Sequence, residues 1–133
     1  MRISISTAFL IMATCLVPAA ASAASGAYLC AISEAFECQA VTGCKQDELK
    51  SINMPAFWAI DVDKKMMTSA VIGETPRSED VEGLFATDKA LYLYGTQNQD
   101  TWNATISLQT GALAGGITSG ESSFAFFGNC TPK

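Results

Sequence analysis

Between Thr101 and Leu108 apolar and polar residues alternate without a break: Trp102, Ala104, Ile106 and Leu108 fall on one side, Thr101, Asn103, Thr105 and Ser107 on the other. A period of two is that of an extended strand with one buried and one wetted face, and a helix cannot sort these residues in that way. The runs Phe57 to Val62, Met66 to Ile72, Val81 to Ala86, Leu91 to Gly95, Ala112 to Thr118 and Phe124 to Gly128 are also strand-length. With Ala27 to Ser33 as the first, they bring the expected count to about eight. Asp63-Lys64, Asp88-Lys89, Asn98-Gln99-Asp100, Thr110-Gly111 and Ser119-Gly120 lie between runs. These pairs favour tight reversals, so consecutive hairpins and an antiparallel meander follow.

The fold class read from this pattern is all-β. A meander of that size hides its edges by forming a small closed or partly open barrel, with a β-sandwich as the alternative. Gly83, Gly95, Gly115, Gly116 and Gly128 fall inside or at the ends of strand runs. Glycine weakens a strand unless curvature or close approach needs it, and closure needs both. One short helix is expected near 45–51, with Asp47 and Glu48 close to its start and Pro55 limiting its extension.

The first 23 residues read as an export signal: Met1 and Arg2 precede a largely apolar stretch from Ile3 to Val17, and Ala21-Ser22-Ala23 matches the cleavage pattern. Cys15 lacks the small residue directly before it that lipidation requires, so it is expected to leave with the signal. The apolar stretch is too short to span a bilayer, and no later segment is longer. Residues 24–133 then form one small β domain. The chain carries 13 acidic against eight basic residues, one of which is Arg2, so nucleic acid and anionic membrane surfaces are poor partners.

Cys30, Cys38, Cys44 and Cys130 remain after the signal. An even count in a small exported chain points to disulfides rather than to metal. The expected pairing is Cys30 with Cys130 and Cys38 with Cys44, because the first and last strands of a closed meander lie side by side. Spacing alone leaves pairing of Cys30 with Cys38 or Cys44 open.

The sequence contains no histidine, which removes the commonest general base, the Ser-His-Asp and Cys-His systems and all His-containing zinc sites. No C-x-x-C occurs either, so a thioredoxin-like redox centre is not expected. Asp61 with Asp63, and Glu79, Asp80 and Glu82, are acidic clusters without a calcium-loop pattern, and they read as solvated turn residues. Neither a metal site nor a cofactor is expected. Tyr92 and Tyr94 share the face opposite Leu91 and Leu93, so both sides of that strand are apolar or aromatic. A second apolar face asks for a cover, and Tyr92, Tyr94 and Trp58 are therefore the candidate binding residues, with cross-strand pairing the simpler role for the tyrosines.

Tyr28-Leu29-Cys30, the Cys38 and Cys44 region, Asn53-Met54-Pro55 leading into Ile60-Asp61, Trp102 to Ile106, and Phe127-Gly128-Asn129-Cys130-Thr131 together resemble a set of short exported proteins of alphaproteobacterial type. The resemblance implies a periplasmic setting and brings no substrate or reaction. The expected function is that of a periplasmic or secreted, non-catalytic binding module for another envelope protein or a small apolar ligand. An inhibitor of a periplasmic or secreted enzyme, and a hydrolase working through carboxylates, are the alternatives.

Overall fold

The computed structural model describes residues 25–69 and 75–133; the export signal and Cys15 lie outside them. Ten strands follow one another: β1 (Ala27–Gln39), β2 (Gly43–Asp47), β3 (Phe57–Asp61), β4 (Met66–Ser69), β5 (Ser78–Asp80), β6 (Gly83–Ala86), β7 (Ala90–Gln97), β8 (Asp100–Ser107), β9 (Ala112–Thr118) and β10 (Ser122–Pro132). All pair antiparallel in one sheet of order β5-β4-β3-β1-β10-β9-β8-β7-β6, with β2 on the second half of β1. The sheet curls into a half-barrel. Its hydrogen-bonded ladder stays open between β5 and β6 among the described residues.

Of the closed or partly open barrel expected, the closed form is not what the sheet shows, and only a short link of chain crosses the opening. Only Val81 and Glu82 separate the two edge strands. The Val81 N–H donates to Lys65 O at 2.9 Å and its side chain is 3% exposed. Glu82 Oε1 accepts from the N–H and the hydroxyl of Thr96 on β7. These contacts continue the β4–β5 and β6–β7 pairings, and the two edge strands are only three and four residues long, which leaves little template for pairing with another chain.

β1 organises the sheet. Its first half pairs with β3, its second half with β2, and nearly its whole length with β10. A bulge at Ser33 puts Ile32 opposite Gly128 and Glu34 opposite Phe127, so Ile32 and Ala35 both face inward. Gly128 is required there: a Cβ on it would lie 2.0 Å from Ala31 O. Cys30 and Cys130 are direct partners on β1 and β10 and form one disulfide; Cys38 and Cys44 are partners on β1 and β2 and form the other.

The core lies on the inner face, where Ile60, Leu91, Leu93, Ile106 and Cys30 are fully buried. Outside stand Tyr92, Tyr94, Phe57, Phe85 and Phe127, all at least two-fifths exposed.

No helix occurs among the described residues, so the helix expected near 45–51 is corrected. Lys45 to Asp47 end β2, held against β1 by the Cys38–Cys44 bond and by Lys45 reaching Glu37 Oε2 at 3.1 Å, with Asp47 Oδ2 of the same strand 3.3 Å from the ammonium. Glu48 to Met54 turn, with the Ser51 N–H donating to Glu48 O and the Met54 N–H to Leu49 O. A segment of about two turns cannot offset helix nucleation by itself, and strand pairing wins.

Candidate functional site

Inside the half-barrel is a cavity of about 290 Å³, bounded by β1, β3, β8, β9 and β10 and by the Ile52–Pro55 segment. Its wall follows from the period of two. On β8, Asp100, Trp102 and Ala104 succeed one another on the inner face and all line it, from the mouth inward. Trp58 and Ile60 face it from β3, Leu113 and Ile117 from β9, and Phe124 and Phe126 from β10.

The lumen stays open because its largest rings lie down on the wall. Trp102 is the cross-strand partner of Gly95, and Phe126 of Gly115. A Cβ on Gly95 would sit 2.7 Å from Trp102 Cζ2 and 2.9 Å from Asp80 O; one on Gly115 would sit 2.3 Å from Phe126 Cζ and 2.4 Å from Asn103 O. With no side chain opposite, each ring folds flat across the neighbouring strand instead of projecting into the interior. Aromatic residues covering glycines in this way are a known device for closing curved sheets.

The mouth is polar. Asn53, Arg77, Glu79, Gln97, Asn98 and Asp100 contribute to it. Asn98 and Gln99 form the β7–β8 turn with φ of 59° and 143°, and the Gln99 N–H donates to Gln97 O at 3.0 Å. Arg77 Nη2 donates to Asn53 O at 2.7 Å and so ties the segment bearing Ile52 and Met54 across one side of the opening. Burial raises the Glu79 carboxyl above its ordinary pKa, against the opposing pull of a hydrogen bond from Gln97 and the charge of Arg77.

Of the three candidate binding residues, Trp58 lines the cavity, 8% exposed, whereas Tyr92 and Tyr94 stand on the outer face. The structure does not bring the three together. Tyr92 packs on its cross-strand partner Phe85, with ring centroids 5.9 Å apart, and Tyr94 lies over its partner Gly83. Both tyrosines therefore take up the cross-strand role while keeping 41% and 57% of their surface in solvent.

Asp61 and Asp63 close the β3–β4 turn. Asp61 Oδ1 accepts from the Lys64 N–H at 2.9 Å and Oδ2 meets Lys64 Nζ at 3.0 Å, contacts that lower its pKa; Asp63 Oδ2 accepts from the Gly26 N–H. In the other acidic cluster Asp80 and Glu82 are exposed, whereas Glu79 departs from the solvated turn expected of it. Glu79 is part of β5 and turns toward the cavity, and Glu82 bridges to β7. Sequence reasoning missed Glu79, Trp102 and Phe126 as members of one site. The alternation through Asp100, Trp102 and Ala104 would have placed those three on a common inner wall.

Among the described residues no group of three or more Cys, Asp or Glu side chains is arranged to hold a metal, and no helix is long and apolar enough to cross a membrane. No family model, curated protein or solved structure matches the chain.

Proposed function

We propose that this protein is an extracytoplasmic binding protein that takes a small, largely apolar molecule into its half-barrel. The observation that carries the reading is the 290 Å³ cavity with an aromatic and aliphatic wall and a polar mouth. Concave, mainly apolar sites with a few polar groups at one end are the usual form of small-molecule pockets. An engineered apolar cavity of about 150 Å³ holds one benzene, so this one suits a two-ring or comparably sized occupant. The glycines beneath Trp102 and Phe126 support the reading, since they preserve space that a small domain would otherwise fill with side chains.

The setting is periplasmic or secreted. Two disulfides fit an oxidising compartment, and the N-terminal sequence has the form of a cleaved signal. The role is binding rather than catalysis: a histidine-free chain offers no base of ordinary pKa near neutrality, and the carboxylates at the mouth, Glu79 and Asp100, face an apolar lumen. A second reading, docking of another envelope protein, is favoured by the exposed Phe85, Tyr92 and Tyr94.

The test is to purify the protein in its oxidised form from its own host's envelope, extract it with organic solvent and identify what is released by mass spectrometry. A stoichiometric small molecule supports the cavity. Protein partners retained by the wild type and lost on Tyr92→Ala with Tyr94→Ala, without any released small molecule, would favour the outer face instead.

A further inference from the structure

The register of the sheet decides which charges meet at the mouth of the cavity. Ile60, Met67 and Glu79 are successive cross-strand partners on β3, β4 and β5, so the inner row that starts at Ile60 ends on the Glu79 carboxylate. All three line the cavity. On the other side of the opening Gln97 and Asp100 are partners on β7 and β8, with their side chains on one face. A hydrogen bond from the Gln97 side chain to Glu79 joins the two sides. Glu79 and Asp100 thus reach the same mouth from opposite sides of the half-barrel's opening.

Neither carboxylate forms an ion pair among the described residues. Arg77 is the one basic residue in the lining, and its Nη2 is committed to Asn53 O at 2.7 Å. The mouth therefore sets two negative charges against one positive. Glu79 is half-buried, and its raised pKa is that of a carboxylate whose surroundings supply too little compensating charge. On an open surface such a pair would be hydrated and inert. Here it ends an apolar lumen walled by Trp58, Trp102, Phe124 and Phe126, and aromatic faces attract cations as carboxylates do. An anion seated with its apolar part inward would leave its charge against Glu79 and Asp100, and a neutral molecule would leave both uncompensated.

Resting on the reading of the cavity as a ligand site, we propose that its ligand is a small amphiphilic cation, an ammonium group on an apolar body. The body lies among the aromatic rings, and the ammonium stays at the mouth, donating hydrogen bonds to Glu79 and Asp100.

Three probes of one size separate charge from apolar fit: 1-(2-naphthyl)ethylammonium, 2-acetylnaphthalene and 2-naphthoate. Each is titrated calorimetrically into the oxidised protein and into its Glu79→Gln, Asp100→Asn double variant. In the wild type the ammonium should bind about tenfold more tightly than the ketone, the size of one charge-assisted hydrogen bond at a part-exposed site, and naphthoate most weakly. In the variant the ammonium should bind no more tightly than the ketone, which separates the mouth from the general attraction of an acidic chain for cations. Equal affinities in the wild type, or a preference for the ammonium that survives in the variant, would overturn the inference and leave the cavity reading intact. Failure of all three probes to bind would overturn both. Should the variant not fold, the Glu79 carboxyl carbon, followed by NMR in the wild type, decides by itself. Saturating ammonium should lower its titration midpoint and saturating ketone should not, and a midpoint unmoved by bound ammonium would overturn the inference.

Discussion

Phe57 and Trp58 are consecutive residues of β3, and they live in different media: Phe57 is 47% exposed on the outer face, Trp58 8% exposed on the inner one. The same contrast runs through the sheet. Each face has one cross-strand disulfide, buried Cys30–Cys130 within and Cys38–Cys44 at the outer end of the β1–β2 hairpin. Each has an aromatic ring lying on a glycine, Phe126 on Gly115 within and Tyr94 on Gly83 without. Local chemistry is matched; what surrounds it is not. The inner set shapes a space, whereas the outer set covers backbone and meets water, and substitutions of like kind should therefore have unlike costs.

The disulfides give the largest separation. Cys30–Cys130 closes a loop with a sequence separation of 100, Cys38–Cys44 one of 6. Loop entropy assigns them about 4.7 and about 2 kcal/mol. Urea unfolding of Cys30→Ser with Cys130→Ser should show a loss of about that larger size, and Cys38→Ser with Cys44→Ser one less than half as big. Equal losses would mean that burial and loop length do not distinguish the two faces.

Next come the neighbours on β3. Trp58→Ala should cost about 3 kcal/mol by cavity formation in the inner wall, and Phe57→Ala under about 1 kcal/mol, as surface truncations do. The glycines follow. An alanine Cβ at Gly115 meets Phe126 and also the fixed carbonyl of Asn103, so Gly115→Ala should cost about 1–3 kcal/mol and push the Phe126 ring into the lumen. At Gly83 the nearest atoms all belong to the far end of exposed Tyr94, which can swing aside, and Gly83→Ala should cost well under 1 kcal/mol. Thermal and urea unfolding of the pair measure the difference.

The smallest effect concerns Glu79. Its folded-state pKa is raised by burial, so the folded protein holds that proton more tightly than the unfolded chain does. Stability from this group is then greatest at low pH and declines as pH rises from its ordinary value through the raised one. Glu79→Gln should lift Tm by roughly 1–2 °C at pH 7 and by nothing near pH 4. A lift that grows on acidification would reverse the assigned sign.

Much of this architecture is legible in the residues. Alternation located β8 and β9 closely, and the inward leucines and outward tyrosines of β7 follow from the same period. The meeting of first and last strands, and with it the Cys30–Cys130 pair, follows from a meander that curls back on itself. β2 was not legible, because Lys45 to Glu48 has helix-forming composition and becomes a strand only through the disulfide and the long partner β1. β5 is three residues long and has no period to detect. The cavity was invisible for a related reason: it depends on where rings fold down on glycines several strands apart in the sequence, and on Glu79 being carried to the mouth by so short a strand.

The central claim, that the inner face binds and the outer face does not, is tested most directly by one titration on two variants. Ala104→Phe fills the cavity from its wall, and Tyr92→Ala with Tyr94→Ala strips the outer face. Calorimetric titration with 2-acetylnaphthalene should give saturable one-to-one binding for the wild type and for the outer-face variant, and none for Ala104→Phe. Binding that persists in Ala104→Phe and disappears with the two tyrosines would contradict the account.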